Sequence, residues 1–312
     1  MLRVFRTADL PAYYDLMTGE FPEENRLLGW RREPFFRIIR RLDRLDFRIV
    51  LGLLNAIGRP LFRLYIVEVD GSIAASALES FGSVSAYVGS VVVDPRYRRR
   101  GLARQVLEAC HAMANRRGMR FVLLDVLDAN AAAIALYDSL GYHLVGHGSH
   151  FVRSMTAPLA PAESGSVRPF RRSDGEALAD IARTIVPQPR QDVHPIGASE
   201  FRVAPAVVRA LDSKSEAWVV DRGSGPVAWV RASVSPAMEA GHLTAPVIGP
   251  SADPADVRAL LVRALEWNRS EGASRVVVEV WDENLRGQTA LREAGFEVAY
   301  GIRTLALPTG AA

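Results

Sequence analysis

The apolar positions change their period in an order that occurs twice along the chain. LFRLYIVEVD (Leu61–Asp70), SIAASALES (Ser72–Ser80) and SAYVGSVVVD (Ser85–Asp94) are short runs rich in β-branched and aromatic residues. They predict three strands of antiparallel type, with Asp70-Gly71 as a hairpin turn. From Arg100 to Arg116 the period lengthens, and Leu102, Val106, Cys110 and Met113 fall on one face of a helix. FVLLDVL (Phe121–Leu127) is a near-continuous apolar run, the signature of a buried strand. Ala131–Leu140 is a short helix that Gly141 stops. A first strand and amphipathic helix precede all of this, at VFRTADLPAYYDL (Val4–Leu16). The order predicts an α/β domain with a mixed sheet.

The second occurrence begins at VRPFRRSDGEALADI (Val167–Ile181), which again sets a short strand, an arginine and an aspartate before an amphipathic helix. The stretch from Arg117 to Tyr142 then aligns without a gap on Glu271 to Phe296, at a constant offset of 154 residues. Gly118 pairs with Gly272, Asp125 with Glu279, Asn130 with Asn284, and Gly141 with Gly295. Such self-similarity marks two copies of one domain. TAPLAPAESGSVRPF (Thr156–Phe170) has the spaced prolines and small residues of a linker. The expected organisation is a first domain over 1–155, a linker over 156–166 and a second domain over 167–312. The first copy also carries an insert, about Phe21 to Pro60, expected to form one or two helices. In it Phe35, Phe36, Ile38, Ile39, Leu42 and Leu45 oppose a basic face.

Composition narrows the class. With 312 residues, 49% of them apolar and 23% charged, the chain has ample core for two globular domains. No run approaches the roughly 18 apolar residues of a membrane span. The N-terminus carries Arg3, Arg6 and Asp9 in place of a signal peptide's apolar stretch. The lone cysteine, Cys110, has no internal disulfide partner and reads as a buried helix residue. A cytoplasmic location is the expectation. The net charge is only +3, but the basic residues are almost all arginine and cluster at Arg31–Arg48 and Arg96–Arg104. Without interleaved aromatics or a nucleic-acid motif, these clusters suit phosphate groups on a small ligand better than a nucleic acid. No feature of the sequence sets the oligomeric state.

The second cluster carries the candidate chemistry. In VDPRYRRRGLARQ (Val93–Gln105) an apolar strand ends at Asp-Pro, and arginines and a glycine open a helix. A helix N-terminus offers unpaired backbone N–H groups at the positive end of its dipole, where a pyrophosphate can accept from them. Neither G-x-x-x-x-G-K-[ST] nor G-x-G-x-x-G is present. Arg98-x-x-Gly101-x-Ala103 instead resembles the [QR]-x-x-G-x-[GA] motif of the GNAT family of N-acetyltransferases. Asn130, Ala133, Leu136-Tyr137 and Leu140-Gly141-Tyr142 resemble that family's second block.

The resemblance implies tandem GNAT-like domains and acetyl-CoA as co-substrate, with no metal. It implies that Arg98, Arg99, Arg100, Gly101, Ala103 and Arg104 hold the pyrophosphate. The backbone of Val91 and Val93 would pair with the pantetheine arm. Asn130 would touch the pantetheine or adjacent backbone, and it also suits a helix N-cap. Tyr137 would protonate the leaving thiolate after direct attack by an amine. Read alone, Tyr137 is a half-buried core tyrosine; its position within the family block reverses that preference. For the general base, Glu79 on the preceding strand is the candidate, with Glu68 an alternative and Asp125 on the next strand. His143, His147 and His150 do not form a metal set, because strand alternation sends odd and even positions to opposite faces. Applying the 154-residue offset, Gly101 falls on Ala255, Ala103 on Val257 and Tyr137 on Leu291. The second copy is therefore expected to lack the cradle.

The expected activity is acetyl transfer to a primary amine of a small molecule or peptide. The rivals are an acyl-CoA sensor without turnover, an acetyltransferase acting on a protein N-terminus or lysine, and a membrane-surface role for the basic insert.

Overall fold

A computed structural model describes residues 1–42, 62–159, 165–202 and 213–310. The insert beyond residue 42 and residues 160–164 of the linker lie outside the described residues. The elements run, in chain order, β1 (Leu2–Val4), α1 (Leu10–Glu20), α2 (Pro22–Leu28), α3 (Arg32–Leu42), β2 (Phe62–Val69), β3 (Ser72–Phe81) and β4 (Ser85–Val93). There follow α4 (Leu102–Arg116), β5 (Phe121–Leu127), α5 (Ala131–Ser139) and β6 (His143–Ser154). The second copy has β7 (Val167–Pro169), α6 (Gly175–Ile185), α7 (Gln188–Val193), β8 (Lys214–Asp221), β9 (Pro226–Val234), β10 (Ala240–Leu243) and β11 (Val247–Ile248). It closes with α8 (Pro254–Ser270), β12 (Arg275–Trp281), α9 (Leu285–Glu293) and β13 (Glu297–Pro308). The mixed α/β expectation holds in both copies. The last three elements of the copies keep the 154-residue offset to the residue.

The compact units do not divide at the linker. One comprises 1–26, 32–145 and 303–312; the other comprises 27–31 and 146–302. The reason is strand pairing. β6 lies antiparallel to β12 from Gly148↔Trp281 to Ser154↔Arg275, so its length past Val145 belongs with the second unit. The end of β13 belongs with the first: Thr304 Oγ1 donates to Asp125 (2.7 Å) and Arg303 Nε to Asp128 (2.9 Å). Each copy has thus given up the last strand that its sequence carries.

In the first unit the strand order is β1-β2-β3-β4-β5 followed by the end of β13. α4 packs against β3 and β4, burying Val106, Leu107, Cys110 and Ala114 with Ala75, Ala77, Val88 and Val122. Each buried Val or Leu in such a layer contributes roughly 1.5–3 kcal/mol. In the second unit α8 covers β9 in the same way, through Leu260, Leu261, Ala264 and Leu265. The Arg–Asp signature at each copy's start has one purpose in both. Arg3 grips both oxygens of Asp9 (2.7 and 2.8 Å), and Arg168 those of Asp174 (2.9 and 2.8 Å). Each aspartate also accepts an N–H three residues back, from Arg6 or Arg171, which fixes the entry to α1 and α6.

Candidate active site

β4 and β5 begin as parallel neighbours and then separate. They pair only at Ser85↔Phe121, Ala86↔Val122 and Tyr87↔Leu123. β4 continues to Val93, held on its other side by β3. A bulge interrupts that second ladder between Ser76 and Leu78, where Ser90 takes a φ of 50°. A bulge adds a bend to one strand, and here it carries β4 away from β5. From Val88 to Val93, β4 has no ladder to β5, so its backbone can pair with an extended ligand. Asp125 lies two residues beyond the last paired position of β5. It accepts from the Tyr87 hydroxyl (2.9 Å) and from Thr304 (2.7 Å).

At the far end of β4 the chain builds a cradle. Asp94 accepts from the Arg96 N–H (2.9 Å) and pairs with its guanidinium (2.6 Å), closing a single turn over Pro95–Tyr97. Arg99 and Gly101 then both take the left-handed conformation, with φ of 64° and 76°. This swings the backbone into the start of α4. Gly101 is its N-cap and supplies no side-chain acceptor. The first intrahelical bond runs from Gln105 N–H to the Gly101 carbonyl (3.0 Å). The N–H groups of Leu102, Ala103 and Arg104 are left to an outside acceptor.

The arginines divide in function. Arg98 pairs with Glu20 on α1 and reaches the Val93 carbonyl (3.4 Å), so it braces the turn. Arg104 donates to Ser139 (2.8 Å), tying the start of α4 to α5. Arg99 and Arg100 are exposed, and Arg100 lies over the Tyr97 ring at 5.4 Å. These two are free to meet an anion.

On α5, Asn130 caps the helix by accepting from the Ala133 N–H (3.1 Å) and is itself exposed. Tyr137 is buried, its ring 5.7 Å from that of Tyr142, whose hydroxyl meets His111 Nε2 at 2.8 Å. Burial pushes the Tyr137 hydroxyl up to about 12, so it stays protonated at neutral pH.

Glu79 is placed unlike an acceptor-side base. It shares the face of Ala75, Ala77 and Phe81 and is wholly buried, and neither carboxylate oxygen has a hydrogen-bond partner among the described residues. Burial pushes it from the ordinary 4.5 up to about 8, against the pull of Arg63, Arg117 and Arg116. A buried acid of this kind favours folding only while neutral. Its contribution is complete below pH 4.5 and is lost as pH rises toward 8. The expected decline is up to about 1.4 kcal/mol per pH unit. Glu79→Gln should flatten this slope in denaturant titrations at pH 5, 6.5 and 8. An unchanged slope would place the pH dependence elsewhere. Glu68 is engaged with Arg3 (2.8 Å).

The comparisons with known proteins fit this geometry. Residues 12–142 match the model of the Acetyltransferase (GNAT) family. Over that stretch the chain is similar to the GNAT acetyltransferases. Over 74 residues it is 40% identical to [ribosomal protein bS18]-alanine N-acetyltransferase of Escherichia coli strain K12. That stretch is 24% of this chain, and the chain spans about half (50%) of the length of the relative. The whole-chain likeness is to solved structures. A tandem GNAT protein from the clavulanic acid biosynthesis pathway is similar with a TM-score of 0.63 and 15% identity, over 99% of this chain and 98% of that one. A GCN5-related N-acetyltransferase from Sphaerobacter thermophilus is similar with a TM-score of 0.64 and 14% identity, over 99% and 95%. At those identities the shared property is the tandem GNAT fold.

The helix start that Gly101 opens in the first unit has no equal among the described residues of the second. There Asp253 caps α8, accepting from Ala255 N–H (2.8 Å), with Pro254 at the first helical position. Asp256 is buried and held by Arg222 (2.7 Å). The helix start is already capped, and its charge is of the wrong sign for a pyrophosphate. Leu291, at the Tyr137 position, is a fully buried core residue.

Two functional contacts escaped the sequence reading. Thr304 lies 179 residues from its partner Asp125, and Glu20 lies 78 from Arg98. No local pattern signals either pair. Among the described residues, no three His, Cys, Asp or Glu side chains form a metal-sized group.

Proposed function

We propose that the chain is an acetyl-CoA-dependent N-acetyltransferase acting on a primary amine, with the first unit carrying the chemistry. One observation carries the reading: the freed edge of β4 leads directly into an uncapped helix start. Acetyl-CoA supplies the activated acyl group. The N–H groups of Leu102, Ala103 and Arg104, with Arg99 and Arg100, suit its pyrophosphate. The backbone of Val91 and Val93 suits the pantetheine arm, and Asn130 stands at the edge of the same cleft.

Asp125 is a better candidate base than Glu79. It lies at the fork of β4 and β5, is half-buried rather than sealed, and is oriented by two hydroxyl donors. It accepts the proton that an ammonium must lose before its nitrogen attacks the thioester carbonyl. Tyr137, protonated at working pH, gives a proton to the departing sulfur and is restored by the second proton that the acylated nitrogen sheds. The C–S bond breaks as the C–N bond forms, giving an amide and a free thiol.

A second reading of the acceptor rests on a specific observation. The 40% identity is to an enzyme named for an alanine of a ribosomal protein, which favours a protein or peptide amine over a free small amine. The test is thiol release from acetyl-CoA with a panel of small primary amines and peptides beginning with alanine, with acetylated products checked by mass. Release that needs an amine, and that Asp125→Asn slows at neutral pH but less at high pH, is expected. Tight binding of acetyl-CoA with no release for any amine would overturn the reading in favour of a sensor.

A further inference from the structure

The second unit has a cavity of about 220 Å³ where its own strands part. β10 runs parallel to β12 from Ala240 to Leu243. The chain then moves off to β11, which pairs with β9. The cavity lies between Val247 on β11 and Trp281 at the end of β12, with Ile185, Ile196, Phe201 and Trp229 as further apolar walls. A cavity of about 150 Å³ accepts benzene, so this one has room for roughly eight to ten heavy atoms.

Four charged or titratable side chains also line it: His194, Glu200, Arg231 and Glu283. Both carboxylates already have basic partners. Glu200 faces His194 at 3.4 Å and Glu283 faces Arg190 at 3.4 Å. Arg231 has no carboxylate at ion-pair distance among the described residues. Its Nη1 donates only to the carbonyls of Glu200 (3.3 Å) and Arg202 (2.8 Å). Burial lowers its pKa from the usual value, a sign that the charge sits poorly solvated. Beside it, 5.8 Å from the guanidinium carbon to the ring centre, is Trp229. Trp229 is 3% exposed, and its buried indole N–H has no acceptor among the described residues. The ring of Trp229 therefore serves the cavity as an apolar wall, and Arg231 is the cation beside it.

We propose that this cavity binds a small apolar monocarboxylate, with Arg231 taking the carboxylate and the aromatic walls taking the tail. A neutral ligand would leave Arg231 uncompensated. An amine would meet that charge directly, while both nearby carboxylates are already paired. The site uses none of the residues of the acetyl-transfer reading and stands independently of it.

The test is calorimetric titration of the full chain with hexanoate and benzoate, with hexylamine and benzyl alcohol as comparisons. One site per chain is expected for the carboxylates, with a Kd below about 1 mM, and no saturable heat for the amine. Arg231→Gln should weaken hexanoate at least tenfold. Ala245→Leu, which fills the cavity without touching its charges, should weaken it equally and decides the matter if Arg231→Gln does not fold. Carboxylate and amine binding alike, affinity unchanged in the folded variants, or no saturation would overturn the proposal. Acetyl-CoA titrated in parallel should be unaffected by either variant, which separates failure here from failure of the first-unit reading.

Discussion

Tyr137→Phe should lower kcat for acetyl transfer by about 10²–10⁴-fold, the range for loss of a positioned proton donor, and leave acetyl-CoA affinity nearly unchanged. The substitution removes one oxygen and keeps the ring against Tyr142 at the base of the core. Its hydroxyl has been raised to about 12 by burial, so it is a donor throughout the pH range of an ordinary assay. The departing thiolate is the group that needs such a donor. The measurement is steady-state kinetics beside a binding titration of the same sample. An unchanged kcat would make Tyr137 a core residue only, and the sulfur would take its proton from solvent.

Gly101→Glu should weaken acetyl-CoA by at least about 100-fold, equivalent to roughly 2.7 kcal/mol. The left-handed φ of 76° costs a side chain about 1–2 kcal/mol, a cost borne by folding rather than by binding. Space is not the obstacle, because a Cβ at Gly101 would meet no atom within 4 Å. The carboxylate itself is, since it would accept from the N–H groups that the pyrophosphate needs. Gly101→Ala separates the two effects: it carries the strain without the charge and should bind within a few-fold of the natural protein. Calorimetry should give one acetyl-CoA site per chain, since Asp253 already occupies the corresponding helix start in the second unit. Two sites would mean that the second cleft binds without a cradle.

Much of this was legible in the residues. The gapless offset carried β5 and α5 onto β12 and α9 because turn glycines and buried runs repeat together. The turn before α4 was legible because Asp94-Pro95 ends an apolar strand and Gly101 opens a helical pattern. Two things were not. Alternation in β6 and β13 shows which side chains point inward, but it is blind to which neighbour each strand will pair with, and the copies are alike enough to accept either. The fate of each arginine also depends on distant acids: Arg98 is claimed by Glu20, while Arg99 next to it is not. Glu79 is an intermediate case. Its parity with Ala75 and Ala77 placed it on the apolar face, yet the depth of its burial came from α4 packing over it.

The return of residues 303–310 to the first unit bears on how the protein is made. A ribosome emits the cradle, the splayed strand and Tyr137 before any of the second copy. The sheet that supports them lacks an edge until the final strand emerges. Domains usually fold in order as they are synthesised. Here the earlier copy must wait with an open strand edge, a state prone to wrong pairing, until the later copy is complete. Neither half can be cut away or lost in evolution without leaving the other one strand short.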